Sequence, residues 1–153
     1  MPRKTSHGRF EYRRRARRRA LQALYQHKLT GQPASEILLQ FNEEQDFSNV
    51  DSELFKTLVR KVIAGQLELD EKIEPFLDRP LLQLDIMEHV ILSIGAWELL
   101  HSPELPRQVV IDEAVNLAKR FGAAEGHSFV NGVLDKAACQ WRDSAVTPLL
   151  NSS

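Results

Sequence analysis

The sequence has few cysteines, few glycines and no metal-binding motif, and each shortage removes a class of protein. Its one cysteine, Cys139, excludes an intramolecular disulfide framework and a cysteine-based zinc finger. Cys139 lies on an apolar helical stripe, which predicts a small core residue. There is no glycine-rich phosphate loop and no His-Glu-x-x-His motif, and the five histidines lack ligand spacing. We expect no catalytic residue, no metal and no cofactor, and therefore not an enzyme.

Long hydrophobic runs are also absent. The longest apolar run, residues 90–100, is interrupted by Ser93 and Glu98. It is much shorter than the roughly 20 residues that a membrane-spanning helix needs. The 153 residues, 42% apolar and 27% charged, suit one compact domain or two very small ones. These features predict a soluble, cytoplasmic protein in a reducing compartment.

The near-neutral net charge of −1 conceals a strong asymmetry. Residues 1–28 hold ten of the 20 lysines and arginines but only one of the 21 acidic residues, so this segment carries +9. The remaining residues carry −10. Such a division indicates a basic arm that meets a polyanion, attached to an acidic body that faces a basic partner.

The arginine run RRRARRR at 13–19 continues into an amphipathic helix. Apolar residues follow it at the helical period of 3.6 residues, up to the helix-ending pair Gly31 and Pro33. Four arginines fall off the apolar stripe. Arg13 and Arg17 fall on its line, but upstream of the point where we expect the core to end. Guanidinium groups donate bidentately to phosphates and stack on bases, so this helix favours RNA binding without a catalytic pocket.

The same period predicts helices through the rest of the N-terminal half. A short helix is expected over 34–45, and a longer stripe runs from 50 to 73, with a bend at Gly65. Ser48 and Asn49 are the candidate caps of that longer helix. Two prolines in 75–80 predict a break between two helical halves.

The C-terminal half begins with helix-capping chemistry. Asp85-x-x-Glu88 is a capping box, in which the aspartate accepts a backbone N–H and the glutamate reaches back. The helix that follows is apolar on most sides and should be central. Further stripes predict helices over 110–121 and 129–141. Within the last one, Asn131-Gly132 resembles a hairpin turn, but the helical spacing across it favours a glycine at a close helix contact.

Four segments, in this order, resemble the NusB family. They are RRRARRRALQALYQ, FLDRPLLQLDIMEHVILSIGAWELL, LPRQVVIDEAVNLAKRFG and FVNGVLDK, and the resemblance covers about residues 13–139. It implies an all-α fold of about seven helices in two roughly perpendicular three-helix bundles. The expected organisation is a flexible basic tail at 1–9, a domain at 10–142 with bundles at about 10–74 and 82–142, and a flexible tail at 143–153.

The resemblance also implies a function in bacterial transcription antitermination. Members bind the single-stranded boxA element of nascent ribosomal RNA transcripts together with NusE, a small-subunit ribosomal protein. The complex then joins RNA polymerase, without any chemical step. The alternative is a homodimeric protein–protein interaction module that binds polyanions only generically.

By position, the family's RNA-binding features fall on two segments of this chain. The resemblance assigns RNA contact to Arg13, Arg14, Arg15, Arg17, Phe76, Gln83, Glu125, Ser128 and Phe129, and we add Arg18 as a further candidate. It places NusE contact on Tyr25 and Glu88. Two positions depart from the family pattern, because Gly126 and Ser128 stand where relatives often have serine and lysine. The lost lysine weakens an expected phosphate contact, for which Arg18 and Arg19 are candidate replacements.

Two residue roles stay open at this point. Phe129 lies on an apolar stripe, so core packing competes with stacking on an RNA base. Glu88 already has a capping role, which competes with a partner contact. The sequence does not decide between monomer and homodimer.

Overall fold

The computed structural model describes residues 6–143, and the predicted all-helical fold is confirmed over that range. Seven α-helices follow one another, and no strand occurs among these residues. Short 3₁₀ turns at Glu74–Phe76 and Leu81–Gln83 precede the fifth helix, and a π-helical turn at Cys139–Asp143 ends the described chain. The helices are α1 Ser6–Thr30, α2 Ala34–Glu44, α3 Ser52–Ala64, α4 Gln66–Ile73, α5 Ile86–His101, α6 Arg107–Phe121 and α7 Gly126–Ala138.

The chain divides into two compact units at Ala64 and Gly65. In the first unit, α1 packs against α2 and α3 through small and branched apolar side chains. Helix α1 ends as predicted, because Gly31 adopts a positive φ of 73° and donates its N–H to the His27 carbonyl. The residues that form this core are Ala16, Ala20, Leu21, Ala23, Leu24, Ile37, Leu38, Phe41, Phe55, Leu58, Val59 and Val62.

Helix α3 is capped by Asp51, so the expectation of Ser48 or Asn49 as its cap was wrong. The Asp51 carboxylate accepts the N–H of Leu54 at 3.0 Å, which is the usual N-cap geometry. Ser48 instead donates its N–H and its hydroxyl to Asp46 within the preceding loop. The sequence placed the cap too early because any of several adjacent polar residues can cap a helix.

In the second unit, α5 is central, as its sequence predicts. It packs against α4, α6 and α7 and has residues buried on most of its circumference. It packs tightly at Gly95, where an added Cβ would lie 2.7 Å from Leu134 Cδ1. The Asp85 carboxylate accepts the N–H of Glu88 at 2.7 Å, which confirms the predicted cap.

Helix α4 also belongs to this unit. The sequence pattern places residues 66–73 with the N-terminal bundle, whereas in the structure α4 packs against α5. Asp70 of α4 lies 2.6 Å from His89 of α5, and Gln66 donates to both Asp70 and Ser93. Gly65 therefore separates two helices rather than bending one.

Two residues of the last helix differ from expectation. Cys139 is exposed rather than in the core, because the π-helical turn begins there and shifts the helical register. Gly132 is helical, as expected, but it is not at a close contact, since an added Cβ would meet nothing within 4 Å. Of the two predicted tails, residues 1–5 and 144–153 lie outside the described residues, and α1 already includes residues 6–9.

Candidate nucleic-acid interface

The arginine run lies in the first half of α1, as one continuous helical surface. Five of its arginines are half-exposed, namely Arg13, Arg14, Arg15, Arg18 and Arg19. Arg17 is only 2% exposed, so the expectation that the core ends before it was wrong. Arg17 follows the buried Ala16 and precedes Ala20 by three residues, so the core already covers this part of the helix. In this conformation Arg17 is not a surface group.

Several of these arginines are held in place by neighbouring residues. Arg15 Nη1 donates to the Asn49 carbonyl at 3.1 Å, and its guanidinium lies 5.9 Å from the Tyr12 ring centroid. The Arg19 guanidinium lies 5.1 Å from the Phe47 ring centroid. The loop between α2 and α3, which contains Asn49 and Phe47, therefore orients the arginine surface.

Acidic residues lie next to the arginine surface. Arg14 Nη1 forms an ion pair with Glu11 at 3.3 Å, one turn earlier on α1. Hydrogen bonds from Ser48, and to a smaller degree the charge of Arg19, lower the pKa of Asp46. The Nε of Arg13 and the Nη1 of Arg19 are buried without a hydrogen-bond partner.

A second candidate surface lies in the other unit, where a small cleft opens beside α7. Its volume is about 170 Å³. The structure brings three predicted RNA-binding residues, Phe76, Ser128 and Phe129, to this one cleft. Gln83 and Glu125 are exposed but do not line it. The full lining is Phe76, Asp78, Ser128, Phe129, Gly132, Val133 and Lys136.

Phe129 lies at the rim of this cleft and is half-buried, not part of the core. The Arg79 guanidinium lies 4.2 Å from the Phe129 ring centroid, a cation–π distance. Arg79 Nε donates to Asp78 at 2.8 Å, and this hydrogen bond lowers the pKa of Asp78 and raises that of Arg79. The bend between the two 3₁₀ turns therefore presents a carboxylate and a guanidinium next to the aromatic ring.

The two residues assigned to a protein partner are placed differently. Tyr25 is half-buried on α1. Glu88 is only 8% exposed, because it lies in the capping turn of α5. Burial, followed by the neighbouring Asp85 carboxylate, raises the pKa of Glu88. Its carboxylate is thus engaged locally and offers little surface to a partner in this conformation.

The charged residues that line the cleft, Asp78 and Lys136, were not predicted from the sequence, and neither was Arg79, which contacts the Phe129 ring. Lys136 follows Ser128 by eight residues, two helical turns, so both lie on the same face of α7. This lysine supplies a cation in the cleft although position 128 itself is not basic. The helical spacing of Ser128 and Lys136 could have predicted that Lys136 lies near this surface. The position of Asp78 at the cleft could not be predicted, because it depends on how the bend between the two 3₁₀ turns folds.

Other kinds of site are not found in the described part of the chain. Among residues 6–143 no group of three or more potential ligand side chains is arranged to hold a metal ion. In the same range no helix is long and apolar enough to cross a membrane.

The chain is similar to known proteins over most of its length. The NusB family model matches residues 14–139. The chain is 45% identical over 130 residues to "Transcription antitermination protein NusB" from Xanthomonas axonopodis pv. citri (strain 306), covering 85% of this chain and 82% of that protein. A protein of the same name from Xanthomonas oryzae pv. oryzae (strain PXO99A) shows the same identity, with 85% and 83% covered.

A solved structure is also similar. T. maritima NusB superposes with a TM-score of 0.70 at 28% sequence identity, covering 82% of this chain and 89% of that one. The family match, the identity to named relatives and the shared fold cover the same helices that carry both candidate surfaces. This chain therefore belongs to the NusB family of transcription antitermination proteins.

Proposed function

We propose that this protein binds boxA RNA in nascent ribosomal RNA transcripts together with NusE, and so helps to assemble the antitermination complex on RNA polymerase. Its place of action is the bacterial cytoplasm, where transcripts are made. Binding and assembly, not a chemical reaction, are the proposed activity. The observation that carries the RNA-binding part is the surface of five half-exposed arginines on α1.

The arginine surface is suited to a polyanion for three reasons. Its charge is concentrated in two helical turns, where mutual repulsion destabilises the helix until an anion neutralises it. Five of its arginines are half-exposed, so their guanidinium groups are accessible to a ligand. Arginine forks also match phosphate geometry better than lysine does. We assign phosphate contact to Arg13, Arg14, Arg15 and Arg18, and we give Arg17 the lowest rank because it is buried.

The cleft beside α7 supports a second RNA contact. Phe129 presents an aromatic ring, and base stacking on such rings is a common mode of single-strand recognition. Ser128 and Phe76 line the same cleft, whereas Gln83 and Glu125 would contact RNA only outside it.

The NusE part of the proposal is supported by charge. The residues after position 28 carry a net charge of −10, which suits a basic ribosomal protein. Tyr25 is accessible enough to contribute a contact. Glu88 would contribute through its capping turn, because its carboxylate is largely buried.

The test is a fluorescence anisotropy titration of a boxA-like single-stranded RNA and a scrambled control, with and without purified NusE. We expect a preference for boxA that increases with NusE. With four phosphates contacted, the slope of log affinity against log salt would be about −3. Affinity would then fall on the order of fifty-fold between 50 and 200 mM salt.

The variant Arg14→Glu tests the arginine surface directly. It should abolish RNA binding while leaving the circular dichroism spectrum unchanged. Arg60→Glu is the matched control, because it makes the same charge change at an exposed site on α3. Equal binding of both RNAs by the wild type would reduce the surface to a generic polyanion contact and favour the homodimeric module. Unchanged affinity in Arg14→Glu would remove the arginine surface from the proposal.

A further inference from the structure

A groove on the first unit lies between α2 and α3. Its volume is about 530 Å³. None of its residues belongs to the arginine surface or to the loop that orients it, and none has been assigned to RNA or to NusE above. The groove is therefore a separate surface. Its lining is Ala34, Ser35, Leu38, Leu39, Asn42, Lys56 and Arg60.

The α2 side of the groove is apolar. Leu38 and Leu39 lie in its lining, and Leu39 is 60% exposed although the preceding Ile37 is fully buried. A single exposed leucine is ordinary, but a leucine beside a concave surface can receive an apolar side chain of a partner. Ser35 and Asn42 flank the two leucines along α2, about 10 Å apart along the helix axis. The apolar side is thus about two helical turns long.

The α3 side of the groove is basic. Lys56 and Arg60 are four residues apart, so their side chains lie on one face of α3, about 6 Å apart along its axis. Arg60 is exposed and forms no ion pair with the residues that the structure describes. Lys56 lies 3.9 Å from Glu53, whose side chain is 87% exposed, and such surface pairs contribute little to stability. Both cations are therefore available to an anionic partner.

The charge of this groove is opposite to that of the chain around it. The residues after position 28 carry a net charge of −10, whereas the lining of the groove holds two cations and no acidic residue. A basic partner such as NusE matches the acidic remainder and not the groove. RNA is a poor match as well, because the lining holds no aromatic ring on which a base would stack. A partner that carries both apolar and acidic side chains matches both sides of the groove.

We propose that the groove between α2 and α3 binds an acidic amphipathic helix of a partner protein. Its apolar side chains contact Leu38 and Leu39, and its carboxylates pair with Lys56 and Arg60. A helix whose apolar face lies in a groove is a recurring mode of peptide recognition. The spacing of the two cations matches carboxylates at positions i and i+4 of the bound helix. This binding does not depend on RNA binding, so the two proposals succeed or fail separately.

The probe is a fluorescein-labelled peptide of about 14 residues, or four helical turns, with leucines on one face and glutamates on the other. A scrambled peptide of the same composition is the control, because it has the same charge but no apolar face. Binding is measured by fluorescence anisotropy at about 150 mM salt, where long-range attraction to the arginine surface is screened. We expect the amphipathic peptide to bind several-fold more tightly than the scrambled one. A wild type that does not bind the amphipathic peptide, or that binds both peptides equally, overturns the proposal.

Two variants locate the bound peptide. Arg60→Glu should weaken binding about tenfold by replacing an attraction with a repulsion, whereas Arg120→Glu makes the same charge change at an exposed position on α6 and should not. Leu39→Ser should weaken binding about tenfold, because the peptide can no longer bury this leucine. Leu67→Ser is the matched control, since Leu67 is an 81% exposed leucine on α4. A thermal melt of each variant by circular dichroism shows that it is folded.

The remaining outcomes separate this groove from the RNA-binding surface. Wild-type peptide affinity in Arg60→Glu or in Leu39→Ser overturns the proposal. If Arg14→Glu loses the peptide and Arg60→Glu keeps it, the peptide binds the arginine surface and the proposal is wrong. If the wild type binds the peptide at the groove but binds no RNA, the proposed function fails and the groove remains a docking site.

Discussion

The side chain of Arg142 holds the C-terminal end of α5 and the loop that follows it. Its Nε donates to the Leu99 carbonyl at 3.0 Å, and its Nη2 donates to the carbonyls of Glu98 and Ser102 at 3.2 and 3.0 Å. Its Nη1 donates to the Leu105 carbonyl. Replacing Arg142 with methionine would keep much of the side-chain volume and remove all four donors.

The expected loss in the free energy of unfolding depends on which of these carbonyls have another hydrogen-bond donor. The Glu98 carbonyl also accepts from the Ser102 N–H, so it stays paired in the variant. The Leu99 carbonyl cannot be paired within the helix, because residue 103 is a proline without an N–H. Leu105 precedes α6 and lies outside its helical hydrogen bonding.

Two carbonyls therefore depend mainly on Arg142. At about 1.5 kcal/mol for each charge-assisted bond at a half-exposed site, the loss is about 3 kcal/mol in the free energy of unfolding. That loss corresponds to roughly 10 °C in melting temperature for a protein of this size.

Urea unfolding followed by circular dichroism and by tryptophan fluorescence would measure this loss. Arg142→Lys should recover only part of it, because one ammonium group cannot reach four carbonyls in a planar array. Arg120→Met, an exposed position in the last turn of α6, is the control and should change stability by less than about 0.5 kcal/mol. The reasoning is refuted if Arg142→Met unfolds at the same urea concentration as the wild type.

Three further predictions concern stability. Gly95→Ala should destabilise the protein by about 1–3 kcal/mol, because its Cβ overlaps Leu134 in a filled core, and a wild-type urea midpoint would contradict this contact. Asp51→Ala should cost about 1 kcal/mol in the same assay by removing the N-cap of α3, whereas Asp51→Asn should restore most of it. Folding raises the pKa of Glu88, so ionisation of this carboxyl group opposes folding. The wild type should therefore lose stability as the pH rises from 4.5, the ordinary pKa of glutamate, through the pKa of Glu88 in the folded protein. Glu88→Gln should lack this part of the pH dependence, and parallel midpoint-versus-pH curves for the two proteins would show that Glu88 does not titrate as argued.

Much of the fold follows from the helical period alone. The C-terminal end of α1, the position of α2, the burial of α5 and the capping by Asp85 were predictable, because each depends on residues that are neighbours in the sequence. The burial of Arg17 could not be predicted. Periodicity shows which face of a helix is buried, but not how far along the helix other segments cover that face. Cys139 was misplaced for a related reason, because one π-helical turn moves a residue to another face.

Some parts of the candidate site could likewise be predicted from the sequence, and others could not. Half-exposed arginines on α1 were predictable from their run in the sequence. For Phe129 the sequence left two alternatives open, core packing and stacking on an RNA base. Only the fold separates them, because an apolar helical position beside a cleft and one in a core have the same sequence pattern. The presence of Asp78 in the same cleft as Lys136 depends on how the bend between the two 3₁₀ turns packs near α7, which no local sequence pattern encodes.

The loop between α2 and α3 has a thermodynamic consequence for RNA binding. A free arginine side chain loses up to about 2 kcal/mol of rotamer entropy when a phosphate immobilises it. Arg15 and Arg19 have already lost part of this freedom to Asn49 and Phe47. Loosening the loop would therefore lower RNA affinity by the same factor at every salt concentration. The slope of log affinity against log salt would not change, because it depends on the number of phosphates contacted. Only the intercept would change, because it reflects how rigidly the arginines are held.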